Sequence, residues 1–194
     1  MILDNVEMYN CSQIDTFKAS IRFENAVTLH SSVTNSAFHN GWGWGANIIN
    51  SANIHFKDNL WFNYRAIGVA INYSNNITFD NNVVAHVLER ETIEAGDMFV
   101  DKRAAFTVCQ YHDNQACKDI SMMNNIAAGV VYAGFIVPGH DCGDYTTNNF
   151  KNNIAHSVAG VKAGHGALIY PDPSRSSQKT CYEASYFTAY KCYY

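Results

Sequence analysis

Charge is scarce in this chain. Asp, Glu, Lys and Arg make up 15% of its 194 residues, against roughly a quarter in an average soluble domain. The 13 Lys and Arg are scattered and the formal net charge is −4, which excludes the basic stripe on which nucleic-acid binding depends. Long apolar runs are missing as well. No stretch approaches the ~20 residues that a membrane-spanning helix requires, and residues 1–25 lack the basic start and apolar stretch of a signal peptide. Leucine is too sparse for a leucine-rich solenoid. Only Asn40-Gly41 offers the hairpin turn that an antiparallel sandwich would need repeatedly.

What replaces charge is asparagine, which occurs 22 times. Asn tolerates a left-handed backbone, and its amide can bond to a copy stacked above or below it. These residues fall in a recurring phrase: apolar, any residue, two small polar residues, apolar. It reads Phe56-Lys57-Asp58-Asn59-Leu60, Phe79-Asp80-Asn81-Asn82-Val83, Met122-Met123-Asn124-Asn125-Ile126 and Phe150-Lys151-Asn152-Asn153-Ile154. Weaker copies sit at Leu29-His30-Ser31-Ser32-Val33 and Met8-Tyr9-Asn10-Cys11-Ser12, so that successive copies are 21, 27, 23, 43 and 28 residues apart. A period of that size marks a solenoid whose turns bury their faces only against one another.

The stretch from Ile54 to Asn76 shows how one turn is built. Ile54-His55-Phe56 alternates, Asp58-Asn59 turns, Leu60-Trp61-Phe62 extends, Asn63-Tyr64-Arg65 bends, and Ile67 to Ile71 alternates again. Three short strands per rung of about 23 residues predict an all-β, right-handed parallel β-helix, with 1–194 as one segment of a larger protein. Asn59, Asn82, Asn125 and Asn153 are expected to stack as a ladder at one corner, with Ser32 and Cys11 extending it. Ala105 to Val108 matches Ile67 to Ile71, so the excess of the 43-residue step is an insertion at about 88–103, the most charged stretch of the chain. Further excursions follow at 110–116, 138–148 and 171–180. Loops commonly carry a solenoid's binding function, because the coil itself is occupied with stacking.

The six cysteines (11, 109, 117, 142, 181 and 192) lack the paired spacing of a zinc site. Together with sequons at Asn10, Asn72 and Asn76 they point to an exported, oxidising setting. Cys109 with Cys117 is the expected bridge across 110–116, Cys142 with Cys181 a second pair, and Cys192 is expected to bond beyond this segment or stay free. Asn72, at a strand exit, is expected to be a better glycan acceptor than Asn76, which directly precedes a strand.

A catalytic set is harder to find. Gly164-His165-Gly166 resembles the Gly-His-Gly of polygalacturonases, but inverting hydrolysis needs a general acid and a base on neighbouring rungs. Asp80, Asp101, Asp113 and Asp119 do not recur at one rung position, and Asp141 and Asp144 fall in an excursion. A lyase of the pectate type would need clustered carboxylates for Ca²⁺, and none is visible. No cofactor, metal site or catalytic residue is therefore assigned. Trp42 and Trp44, set among glycines, are candidate carbohydrate contacts or caps of a rung.

Taken in order, Phe38-His39-Asn40-Gly41, Asn82-Val83-Val84-Ala85, Gly134-Phe135-Ile136-Val137-Pro138-Gly139 leading to Cys142, and Asn152-Asn153-Ile154-Ala155-His156 with Gly160-Val161 resemble the parallel β-helix region of the fibrocystin and fibrocystin-L family. The resemblance covers most of residues 25–165. It implies a segment of a very large single-pass protein with immunoglobulin-like repeats and G8 domains, on the extracellular face of a plasma or ciliary membrane or secreted. The expected partners are other segments of the same protein, neighbouring surface proteins and carbohydrate. Membrane attachment is expected only through a span outside this segment. The function this implies is a non-catalytic structural or adhesion scaffold. The alternative is a polysaccharide-acting enzyme or carbohydrate-binding module.

Overall fold

The computed structural model describes residues 1–13, 18–88, 103–108, 117–138, 149–160, 164–170 and 183–193. These residues form a parallel β-helix. The first rung holds β1 (Ile2–Asp4), β2 (Glu7–Tyr9) and β3 (Ala19–Glu24), and the second β4 (Ser31–Thr34), β5 (Ala37–His39) and β6 (Trp44–Ile49). The next two hold β7 (Ala52–Lys57), β8 (Leu60–Arg65), β9 (Ile67–Asn72), then β10 (Asn75–Asp80), β11 (Val83–Leu88) and β12 (Ala104–Val108). β13 (Lys118–Met123), β14 (Ile126–Val130) and β15 (Ala133–Pro138) precede β16 (Asn149–Lys151), β17 (Ile154–Ala159) and β18 (His165–Tyr170). β19 (Glu183–Ser185) and β20 (Thr188–Tyr193) belong to a last, partly described rung.

Every third strand pairs, always parallel, giving a first sheet from β1 to β19, a second from β2 to β20 and a third from β3 to β18. The insertion leaves the register intact, since Ala104, Phe106 and Val108 align with Ile67, Val69 and Ile71. Two boundaries differ from the sequence reading. β8 runs on through Asn63-Tyr64-Arg65 with Tyr64 fully buried, and the bend falls at Ala66, whose φ is 68°. β9 is buried along its whole length rather than on alternate residues, because its outward side is covered too.

The core is made of columns in which large and small side chains exchange places. The first sheet contributes Val33, Phe56, Phe79, Met122 and Phe150 in register. Phe56 and Phe79 stack at 4.4 Å. The second sheet starts large, with Phe38 and Trp61, and then shrinks to Val84, Ala127 and Ala155. The third does the reverse, from Ala46 and Val69 to Phe106 and Phe135, which stack at 5.0 Å. Each rung thus fills a similar cross-section at interior density. Tight approach is required where the two sheets meet: a Cβ on Gly68 would stand 2.3 Å from Val84 Cγ1 and 2.6 Å from the Ala105 carbonyl oxygen.

Candidate functional site

The corner between the first and second sheets is a two-residue turn. Its first residue is left-handed (Asn35, Asp58, Asn81, Asn124 and Asn152, with φ between 50° and 59°), which explains the excess of Asn. Its second residue points inward. There Asn59 Nδ2 donates to Asn82 Oδ1 at 3.0 Å, Asn82 Nδ2 to Asn125 Oδ1 at 3.1 Å, and Asn125 Nδ2 to Asn153 Oδ1 at 3.1 Å. Each Oδ1 also accepts the backbone N–H of the preceding rung's Asn, and each Nδ2 reaches a strand carbonyl such as Val33 O or Phe56 O. These four side chains are buried at 0–2% exposure, and burial of amides demands this degree of pairing.

Neither proposed extension belongs to this ladder. Ser36, not Ser32, occupies the next place: its backbone N–H donates to Asn59 Oδ1, and its Oγ accepts from Val6 N. Ser32 lies in β4, paired with Ile2 and His55. Cys11 follows Met8 and Tyr9, which pair with Phe38 and His39 in the second sheet, one corner away. At the other end the ladder stops at Asn153, where Thr188 N bonds Asn153 O and Phe187 takes the inward place.

Outside this corner a second set of amides is paired. Asn81 donates to Asp58 at 2.6 Å, Asn124 to Asp80 at 2.8 Å and Asn152 to Asn124 at 3.2 Å. Similar pairs, Asn50 to Asn25, Asn63 to Asn40 and Asn76 to Asn53, mark other corners. Carboxylates are drawn into the same work. Asp4 accepts from Thr34 and Asn35, which hold its pKa below the usual carboxylate range, Glu7 pairs with His39, and Glu24 pairs with Arg22. Inside the coil, burial pushes the Tyr64 phenol up to about 12, opposed by its 2.8 Å hydrogen bond with Ser20 Oγ.

The three outer faces differ in chemistry. On the third sheet the outward residues Asn47, Ala70, Thr107 and Ile136 are buried. The second presents an apolar column, Ala37, Leu60, Val83, Ile126 and Ile154. Beside it, rings stack between neighbouring rungs: Tyr9 on His39, Phe62 on His86, His156 on Tyr190. The first sheet is polar outside and carries a groove of about 470 Å³ lined by Ile2, His30, Ser32, Asn53, His55 and Thr78, among others. Sequence reasoning missed this groove. Only the register, which places residues 23 positions apart side by side, reveals it.

Trp42 is exposed, with the Arg65 guanidinium 6.0 Å from its ring centroid, whereas Trp44 is buried against Ile67 and Ala70. The exposures of Asn72 and Asn76 run against the expected glycan preference. Asn72 is 3% exposed and its Oδ1 has no hydrogen-bond partner, because it lies on the covered side of the third sheet. Asn76 and Asn10 are exposed. Cys109, Cys142 and Cys181 lie outside the described residues, Cys117 is fully buried, and Cys11 and Cys192 are free. His165 is half-buried in β18, edge-on to Tyr132 at 5.6 Å. Asp101, Asp113, Asp141 and Asp144, and most of the insertion, lie outside the described residues. Among the described residues no His, Cys, Asp and Glu cluster could hold a metal ion, and no helix is long and apolar enough to cross a membrane.

No family model matches the chain. It is distantly similar to fibrocystin. The protein of that name from Canis lupus familiaris is 27% identical over 189 residues, which is 97% of this chain. The chain spans about 4% of that relative's length.

Proposed function

We propose that the chain is a non-catalytic extracellular scaffold or adhesion segment of a large fibrocystin-like surface protein, on a plasma or ciliary membrane or secreted. The observation that supports it best is the buried Asn ladder, which ties rungs together at the same atoms whether 23, 43 or 28 residues separate them. A coil bonded this way is a stiff spacer whose excursions vary without disturbing its axis. Asp4, Asp58, Asp80, Glu7 and Glu24 are engaged in pairing turns or neighbouring side chains, whereas glycosidic cleavage needs two carboxyl groups free to act on one bond. The apolar face of the second sheet suits contact with other segments of the same protein or with neighbouring surface proteins.

Two measurements test this reading. An antibody against the segment should label intact, unpermeabilised cells, and labelling that requires permeabilisation overturns the surface assignment. Incubation with pectin, polygalacturonate or hyaluronan should leave polymer length unchanged, for the native chain and for His165→Ala alike. Turnover that disappears in His165→Ala promotes the enzyme.

A further inference from the structure

Many polar side chains of the first sheet are paired across rungs, such as Thr34 with Asp4 and Asn76 with Asn53, but one outward column is not. Ser32, His55, Thr78, Ser121 and Asn149 align in register on consecutive strands. None of these side chains makes a hydrogen bond within the described chain. The column forms the floor of the groove at its Ser32–Thr78 end. Along one wall Asn76 Nδ2 donates to Asn53 Oδ1 at 2.7 Å, which leaves further amide valences toward solvent.

This chemistry selects a ligand. The five column residues include no Lys, Arg, Asp or Glu; the register continues to Ile2 at one end and Glu183 at the other, and the charges at the margins, Asp4, Lys57, Asp80, Asp119 and Lys151, are of both signs. An acidic polymer would need a cationic floor. An apolar surface would strand the open hydroxyls without partners. A neutral polymer rich in hydroxyls can satisfy them. Strands stacked about 4.8 Å apart set the polar groups at a spacing comparable to the length of one pyranose ring in an extended chain. We propose that this column binds an extended, uncharged glycan lying along the coil axis, one sugar to each rung. Trp42 is not part of this site: it lies between β5 and β6, at the corner of the second and third sheets. The inference goes beyond the scaffold reading, which is tested separately by surface labelling and polymer turnover.

The experiment uses the 194-residue chain made in a host without N-glycosylation, so that Asn76 at the groove wall stays bare. It is offered immobilised linear oligosaccharides, neutral ones (cello-, manno-, xylo- and N-acetylglucosamine-based) and acidic ones (hyaluronan and polygalacturonate fragments). A neutral oligosaccharide should bind, and the double variant His55→Ala/Thr78→Val should weaken it by about tenfold or more while circular dichroism stays unchanged. Trp42→Ala should bind as the native chain does. Absence of binding, binding of acidic fragments only, or binding lost in Trp42→Ala but kept in the double variant overturns the proposal. If the double variant misfolds, Ser121→Trp, which fills the column from another rung, should block binding in its place. Undiminished binding by a folded Ser121→Trp chain overturns it.

Discussion

Across the longest step of the repeat, Asn125 Oδ1 accepts two hydrogen bonds from Asn82, one from the backbone N–H at 3.0 Å and one from Nδ2 at 3.1 Å. The intervening insertion does not change this geometry, which matches that between Asn59 and Asn82. Asn82→Leu should therefore remove the acceptor for Asn59 and the donor to Phe56 O together. The expected loss is about 1–3 kcal/mol of stability, measured by denaturant unfolding. Asn82→Ser should cost less, because Ser36 at the equivalent place, and Ser74 at the corner between the third and first sheets, already accept the neighbouring rung's backbone N–H. Equal losses for the two variants would show that the amide's second bond is worthless.

Tyr64 gives the coil a sensitivity to alkali. Its phenol has a pKa of about 12 in the fold and about 10 in an unfolded chain. Below pH 10 both states keep the proton and stability is unaffected. Between roughly pH 10 and 12 only the unfolded state ionises, so stability falls as pH rises. Tyrosinate absorbance should show one tyrosine titrating late, and Tyr64→Phe should flatten the stability profile in this window. A Tyr64→Phe profile as steep as the native one refutes the assignment.

If the chain is glycosylated, sugar should be found at Asn76 and not at Asn72. Asn76 is exposed, whereas Asn72 is nearly inaccessible in the fold, although glycan transfer needs an open surface turn. Glycopeptide mapping decides the matter: occupancy at Asn72 with Asn76 bare would mean that the outside of the third sheet is open during modification.

Cysteine chemistry should divide by position. Cys11, free and exposed, should alkylate first. Cys117, fully buried, should be found joined to Cys109 in protein from an oxidising compartment, where a bridge needs Cα atoms about 5.5 Å apart. Non-reducing peptide mapping that recovers both 109 and 117 as thiols rejects that pair.

The repeat was legible because its Asn pair does two separate jobs. Asp58 and Asn81 supply the left-handed turn, Asn59 and Asn82 the inward amide, and both demands fall on adjacent residues. Where one job passes to another residue the signal fails. Ser36 replaces the inward Asn, so the weak copy at 29–33 falls on β4 itself and not on the turn that follows it. The burial of Asn72 is hidden for a different reason: alternation implies one dry face, and β9 has two. The polar column of Ser32, His55, Thr78 and Ser121 has no local pattern at all. Its members are neighbours only through the register of four different rungs and an insertion.

The two sets of amides at the turns run in opposite senses. In the buried ladder each amide-to-amide hydrogen bond is donated toward the following rung, from Asn59 to Asn82 and on to Asn153. On the exposed side each Nδ2 points back, from Asn152 to Asn124 and from Asn124 to Asp80. The two chains of amide hydrogen bonds therefore run antiparallel at this corner instead of in one direction as the peptide hydrogen bonds of a helix do. A further rung at this corner must therefore offer an acceptor on the buried side and a donor on the exposed side, which an adjacent pair of Asn residues supplies together.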